Sequence, residues 1–260
     1  MTILEQLARH AQERTEQAKS KTSLEEIKRQ ALNLPKGDFA FENALKGKDI
    51  AFICECKKAS PSKGLIAPYF PYLEIAKEYQ EGGADCLSVL TEPKWFLGSS
   101  QYLKDIAAKV SLPCLRKDFT VDPYMIYEAK LLGAAAVLLI VSILTQEELK
   151  HYINICDELG LSALVEAHDQ FELEQALNAG ARIVGVNNRN LKDFSVDTDN
   201  SRRLRELVPK EVLFVSESGV SGAEDVKRLR DIGADAVLIG ESLMRAPDKK
   251  AKLVELRGKI

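Results

Sequence analysis

The dipeptide Gly-Ala recurs at Gly83-Ala84, Gly133-Ala134, Gly180-Ala181 and Gly233-Ala234, at intervals of 50, 47 and 53 residues. Each copy follows a helical pattern and precedes a short apolar run. A glycine there suits the left-handed residue that closes a helix before the chain turns into a strand. A spacing near 50 holds two strand-plus-helix units of about 25 residues each, so four double units make eight strands. The runs Asp49–Lys57, Leu112–Lys117, Leu161–Ala167 and Val212–Ser218 are apolar without alternation, as strands buried on both faces should be. Capping-box patterns at Thr145…Glu148 and Ser221…Glu224, and a looser one at Asp169…Glu172, start helices between strands. Strict alternation of buried strands and amphipathic helices predicts an α/β chain with a parallel sheet. Eight units in this length fit a closed (β/α)8 TIM barrel better than an open doubly wound sheet. No Gly-x-Gly-x-x-Gly turn follows the first strand, so the dinucleotide fingerprint is missing.

Residues 1–48 stand outside this count. Ile3, Leu4, Leu7, Ala8 and Ala11 form one helical face, and a second helix starts at Thr22 or Ser23, with Glu25 and Glu26 placed for capping, and stops before Pro35. The expectation is an N-terminal helical extension (1–48) packed on a catalytic barrel (49–260), one domain overall, since the extension alone buries too little. With 260 residues, 45% hydrophobic, the chain is long enough for one large core, and a formal net charge of −3 gives no reason to expect nucleic acid or a membrane surface as partner. The start of the chain has no signal-peptide pattern, and the longest apolar run, Gly133 to Ile143, is too short to span a bilayer. Cys54, Cys56, Cys86, Cys114 and Cys156 fall in apolar runs without metal-ligand spacing and read as reduced core side chains of a cytoplasmic protein.

Chemistry in a barrel of this kind sits at the C-terminal ends of the strands. Those ends carry Glu55 and Lys57; Thr91-Glu92; Lys117; Glu166; Asn187 and Arg189; Glu217-Ser218; and Gly240-Glu241, while the fourth strand offers only apolar side chains. Alternation puts Glu55 and Lys57 on one face and Cys54 and Cys56 on the other. A mouth with several lysines among carboxylates is costly to dehydrate unless the charges pair, and such pairing shifts pKa values as acid–base chemistry requires. Gly219 and Gly240, after the seventh and eighth strands, stand where such barrels hold phosphate. His10, His151 and His168 fall on helices or helix starts, so neither histidine catalysis nor a histidine metal site is expected. No aspartate cluster suggests a metal ion either, and lysine and glutamate are expected to carry the chemistry.

The stretch Glu55-Cys56-Lys57-Lys58-Ala59-Ser60-Pro61-Ser62-Lys63-Gly64 resembles the indole-3-glycerol phosphate synthase family. Leu90-Thr91-Glu92, Leu115-Arg116-Lys117-Asp118-Phe119, Leu164-Val165-Glu166, Asn187-Asn188-Arg189 and Ser216-Glu217-Ser218-Gly219 follow in the family's order, and the resemblance covers essentially the whole chain. Cys56 stands where an aliphatic residue is more usual, facing away from the site. The resemblance implies a lyase that needs no cofactor and no metal. It would close the indole ring of 1-(2-carboxyphenylamino)-1-deoxyribulose 5-phosphate, releasing carbon dioxide and water, in tryptophan biosynthesis. Lys117 is the expected acid at the ribulose carbonyl. Glu166 and Glu55 are candidates for the proton transfers of the elimination. Lys57 would pair with the substrate carboxylate or act as a second acid. Asn187 would orient hydroxyls, Arg189 the anthranilate end or flanking carboxylates, and Glu217 and Ser218 would complete the polar wall. Leu90, Phe96, Phe119, Leu138 and Leu191 would form the slot for the aromatic ring. Phosphate would rest on N–H groups of Gly219, Gly240, Glu241 and Ser242, helped by Ser60 on a mobile Ser-Pro-Ser flap. The partner is then a small phosphorylated substrate, and the chain is expected as a monomer or weak homodimer. Three rival readings share the barrel: a lysine-imine aldolase, a phosphosugar isomerase, and a non-catalytic barrel that only binds a ligand or a partner.

Overall fold

The computed structural model of the chain describes residues 2–47, 49–190 and 194–258. Eight parallel strands close into a barrel: β1 (Ala51–Cys56), β2 (Cys86–Leu90), β3 (Cys114–Lys117), β4 (Ala136–Ile140), β5 (Ser162–Ala167), β6 (Ile183–Asn187), β7 (Leu213–Glu217) and β8 (Ala236–Ile239), with β8 pairing back onto β1. The fold is the expected (β/α)8 barrel. The recurring glycines Gly83, Gly133, Gly180 and Gly233 all have positive φ, between 76° and 89°, which a side chain would strain.

Alternation along each strand builds two apolar layers. Ala51, Ile53, Leu115, Leu138, Leu164 and Val215 fill the barrel interior. Phe52, Cys54, Cys56, Val137, Val165 and Phe214 face outward under the helices. All five cysteines are free and buried, and burial pushes the Cys114 thiol up to about 12, which keeps it protonated and inert. Two of the Gly-Ala repeats continue into aspartate. Asp85 accepts from the Phe52 N–H, and Asp235 accepts from the Phe214 N–H, each at 2.7 Å.

Thr145 and Glu148 form the expected capping box. At Ser221 the expectation is corrected: Asp225, not Glu224, takes the N–H groups of Ser221 and Gly222, because the helix Ala223–Asp231 starts later than the pattern suggested. Among the described residues no helix is long and apolar enough to cross a membrane.

The first three helices reach both ends of the barrel. Helix α1 (Ile3–Lys19) lies across the C-terminal ends of the strands, with Leu7 and Ala11 buried. His10 Nδ1 is 3.0 Å from Glu92, Arg14 donates to both oxygens of Asp118, and Lys19 pairs with Asp122 at 2.6 Å. Helix α2 (Leu24–Leu32) packs on the helix Pro123–Leu131. Helix α3 (Ala40–Leu45), too short to show periodicity in sequence, sits at the barrel floor. There Phe41 and Leu45 join the interior layer and the Glu42 N–H donates to Ser162 at the start of β5.

Between α2 and α3 the chain crosses the turn after the helix Gln146–Leu159. Gly37 N–H donates to Leu159 O at 2.9 Å and Phe39 N–H to Gly160 O at 3.2 Å. A Cβ on Gly37 would collide with the Gly160 carbonyl, which is backbone and cannot swing aside. Gly37→Ala should therefore lower stability by about 2 kcal/mol, read from the urea midpoint with an unchanged m value.

Candidate active site

A cavity of about 440 Å³ opens at the C-terminal ends of the strands. Its lining includes Glu55, Lys57, Ser60, Leu90, Phe96, Lys117, Phe119, Leu138, Glu166, Asn187, Arg189, Glu217, Ser218, Gly219, Gly240, Glu241 and Ser242. These are the residues that the resemblance assigned to the site, apart from Leu191, which lies outside the described residues.

Two lysines, in three ion pairs, organise the polar wall. Lys57 Nζ lies 2.6 Å from Glu55 Oε1, while Ser88 Oγ donates to Glu55 Oε2 at 3.2 Å. Lys117 Nζ bonds Glu217 Oε2 at 2.5 Å and Glu166 Oε2 at 3.2 Å. Burial alone would push the Lys117 ammonium down, but Glu217, Glu166 and Glu55 outweigh it and raise its pKa.

The two carboxylates on Lys117 diverge. Burial raises Glu217 to about 7 despite its lysine. Glu166 is equally buried, yet Lys117 and then His168 hold it below the usual carboxylate range. The charge of Glu166 adds to the burial that raises Glu217, and the other oxygens of the two groups differ in the same direction. Glu166 Oε1 accepts from Asn187 at 3.2 Å and faces His168, whereas Glu217 Oε1 is buried without a hydrogen-bond donor. A buried carboxylate that lacks donors favours its neutral form.

The supports come from neighbouring loops. Ser218, at φ +67°, donates to Asn187 Oδ1 at 2.9 Å, and the Arg189 N–H donates to the same oxygen at 3.0 Å. This fixes the Asn187 amide with its nitrogen toward Glu166. Buried Asn188 faces the other way and ties Ser216, Ser201 and Ser218 O together. Glu92 does not reach the cavity. It is fully buried and accepts from the N–H groups of Trp95 and Phe96, shaping the loop that brings Phe96 within 6.1 Å of Phe119. Phe96, Phe119, Leu90 and Leu138 thus line the apolar side.

Several contributors escape sequence reasoning. Ile3 and Leu7 reach the cavity from α1, and Lys63 and Arg245 flank Glu241 at 3.6 and 3.0 Å. His168, in the turn after β5, is not among the cavity-lining residues, but its Nε2 lies 3.4 Å from Glu166 Oε1. Among the described residues no group of three His, Cys, Asp or Glu side chains is placed to hold a metal ion.

Comparison with known proteins sets this geometry in a family. The indole-3-glycerol phosphate synthase profile matches residues 4–256. The chain belongs to that family. It is 58% identical over 257 residues to the indole-3-glycerol phosphate synthase of Ruminiclostridium cellulolyticum, covering 98% of this chain and 99% of that one. It is 49% identical over 267 residues to the indole-3-glycerol phosphate synthase of Lachnoclostridium phytofermentans, covering 98% of each. The solved structure of N-acetylmannosamine-6-phosphate 2-epimerase from Clostridium perfringens superposes with a TM-score of 0.62 at 16% identity, over 78% of this chain and 90% of that one. That likeness concerns the barrel alone.

In this member of the indole-3-glycerol phosphate synthase family, two glycines leave room for the ion pairs. Gly185 on β6 has an ordinary negative φ, so its backbone does not demand glycine. A Cβ there would occupy the seat of Glu217 Oε1. At Gly240 a Cβ would come within 2.6 Å of Glu55 Oε1 and 2.8 Å of Lys57 Nζ. Glycine weakens a strand interior, so its presence at 185 has a steric reason. Alanine at 185 meets only the ends of the Glu217 and Leu164 side chains, which can move. Gly185→Ala should fold with a melting temperature within a few degrees of the parent. Displacing the carboxylate from Lys117 should lower kcat about 10- to 100-fold in steady-state assays.

Proposed function

We propose that this cavity closes the indole ring: the enzyme is a carboxy-lyase that converts 1-(2-carboxyphenylamino)-1-deoxyribulose 5-phosphate into indole-3-glycerol phosphate, carbon dioxide and water. The observation that carries the assignment of roles is the Lys117 ammonium, held by Glu217 and Glu166 beside an apolar wall. The aromatic ring lies against Leu90, Phe96, Phe119 and Leu138, which press its reacting carbon toward the ribulose carbonyl. Lys117 protonates the carbonyl oxygen as the carbon–carbon bond forms, and Glu217, whose pKa burial raises and which lies 2.5 Å away, restores its proton. Loss of carbon dioxide restores aromaticity. Glu166, ionised, then takes a proton from the ring carbon beside the one bearing the hydroxyl, while Lys57, paired with Glu55, gives the hydroxyl the proton with which it departs as water.

Asn187 and Ser218 orient the ribulose hydroxyls, and Arg189 the anthranilate end. The phosphate sits at Gly219, Gly240 and Ser242, with Ser60 on the ribbon formed by Ala59–Ser60 and Gly64–Leu65. Lys63 and Arg245 support this placement because they neutralise the Glu241 carboxylate, which would otherwise repel an anion. A lysine nucleophile needs a depressed pKa, whereas Lys117 is raised; this favours ring closure over an imine-forming aldolase. Cys54 and Cys56 face the helices, which weighs against a cysteine-based isomerase. The same reading takes residues 1–48 as an extension of a single catalytic domain, held by Arg14 on Asp118 and by the Gly37 crossing. It has the enzyme working in the cytoplasm as a monomer or weak homodimer.

Purified protein given the carboxyphenylamino-deoxyribulose phosphate in the presence of chelator should produce indole fluorescence. Lys117→Ala should lower kcat about 1,000-fold with KM within a few-fold. A raised KM with kcat intact would make Lys117 a binding residue and transfer the acid role to Lys57.

A further inference from the structure

His168 occupies the turn between β5 and the helix Gln170–Asn178, two residues beyond Glu166. Its ring lies between two carboxylates. Nδ1 is 2.9 Å from Glu172 Oε2, and Nε2 is 3.4 Å from Glu166 Oε1. Nε2 is sealed from solvent and makes no conventional hydrogen bond, leaving that carboxylate as its ion-pair partner. Glu172 is braced in turn, since Oε2 also accepts the His168 backbone N–H at 2.8 Å. The third charge facing the ring is Glu217 on β7.

The protonation state follows from donor counting. Ionised carboxylates only accept, and a neutral imidazole has one N–H. Either neutral tautomer would therefore turn a ring lone pair toward a carboxylate. The imidazolium alone gives a donor to both. Burial opposes that charge, but Glu172, Glu166 and Glu217 outweigh it and raise the His168 pKa.

We propose that His168 is a positioning residue for Glu166: as an imidazolium braced by Glu172, it holds Glu166 Oε1 in place and keeps that carboxylate ionised to receive the substrate proton. The proposal rests on Glu166 acting as the base. Its value lies in timing. Glu166 Oε2 leans on the Lys117 ammonium and Oε1 accepts from the neutral Asn187 amide. When Lys117 gives up its proton, and until Glu217 restores it, Glu166 lacks its nearest positive charge. His168 lies on the far side of the carboxylate and keeps its charge, so Glu166 stays ionised and aligned until the elimination.

The imidazole signals of ¹⁵N-labelled protein test the pairing without reference to turnover. Three histidines give a simple spectrum, and His168→Gln assigns the signal. His168 should be the cation at pH 7, and Glu166→Gln should lower its pKa by about one unit. Linkage is reciprocal, so His168→Gln should move the acid limb of the kcat profile upward by about the same amount, with KM within twofold and the melting temperature nearly unchanged. Glu172→Gln, outside the cavity, should move that limb in the same direction by less.

A neutral His168 at pH 7, a titration indifferent to Glu166→Gln, or an acid limb that stays put in His168→Gln would each overturn the proposal. So would a loss of kcat matched by a loss of melting temperature with no shift of the limb, which assigns a structural role. Failure of the base reading looks different: Glu166→Gln would then turn over at the parental rate, whatever the His168 titration does.

Discussion

A buried ammonium needs counter-charge, and Lys117 finds it on three other strands. Removing one ion from water costs several kcal/mol even after relaxation, so Lys117 is tolerable only with Glu217, Glu166 and Glu55 in place. Those carboxylates come from β7, β5 and β1, which only a closed barrel brings to one point. The ladder registers set their level. Leu90 pairs with Lys117, Glu166 with Gly185, and Asn187 with Glu217, so the polar groups form one layer directly above the apolar interior. A slip of one residue in any of these strands would turn a charge into the helix-covered layer.

The remaining polar groups follow from that layer. Asp118, next to Lys117 in sequence, points the opposite way by alternation and is met by Arg14 from α1 and by Thr91 Oγ1 at 2.6 Å. Helix α1 thus joins the chain just beyond Lys117 and also, through His10, the loop that carries Phe96. The opposite end of the barrel is built differently. Phe41 and Leu45 close it with apolar contacts, and the chain reaches α3 through the Gly37–Gly160 crossing. Apolar closure at the floor lets the upper end hold a costly layer of charges and an open cavity.

Much of this was legible in the sequence because it rests on local or periodic signals. The Gly-Ala interval gave eight units, and alternation sorted Glu55 and Lys57 from Cys54 and Cys56. What stayed hidden depends on atoms distant in the chain. Gly185 reads as an ordinary strand glycine until Glu217, 32 residues on, is seen to fill its missing side chain. Glu92 reads as a strand-end carboxylate in line with the others, but backbone N–H groups of its own loop turn it away from the cavity. His168 reads as a residue at a helix start, outside the row of strand ends. Its proximity to Glu166 is a matter of turn geometry that residue types alone do not encode. Asp225 displaced Glu224 at a cap because the chain kept Ser221 and Gly222 outside the helix.

The opposite pKa directions of Glu166 and Glu217 support the proposed division of two proton transfers about Lys117. Two carboxylates this close to one ammonium would titrate alike if distance to Lys117 were the only factor, and the nearer one, Glu217, would be the stronger acid. The reverse holds: burial and the neighbouring charge of Glu166 raise Glu217, while Lys117, His168 and the Asn187 amide lower Glu166. Asn187 and His168 serve Glu166 Oε1, while Gly185 gives Glu217 Oε1 space without a donor. In the proposed mechanism, proton supply and proton acceptance then fall on different sides of Lys117, with a histidine on one side and an absent side chain on the other. Coupled groups share their titration, so the division belongs to the trio and not to either glutamate alone. Restoring a donor to Glu217 Oε1, or removing the one facing Glu166 Oε1, would make the two carboxylates alike and leave Lys117 without a direction in which to pass its proton.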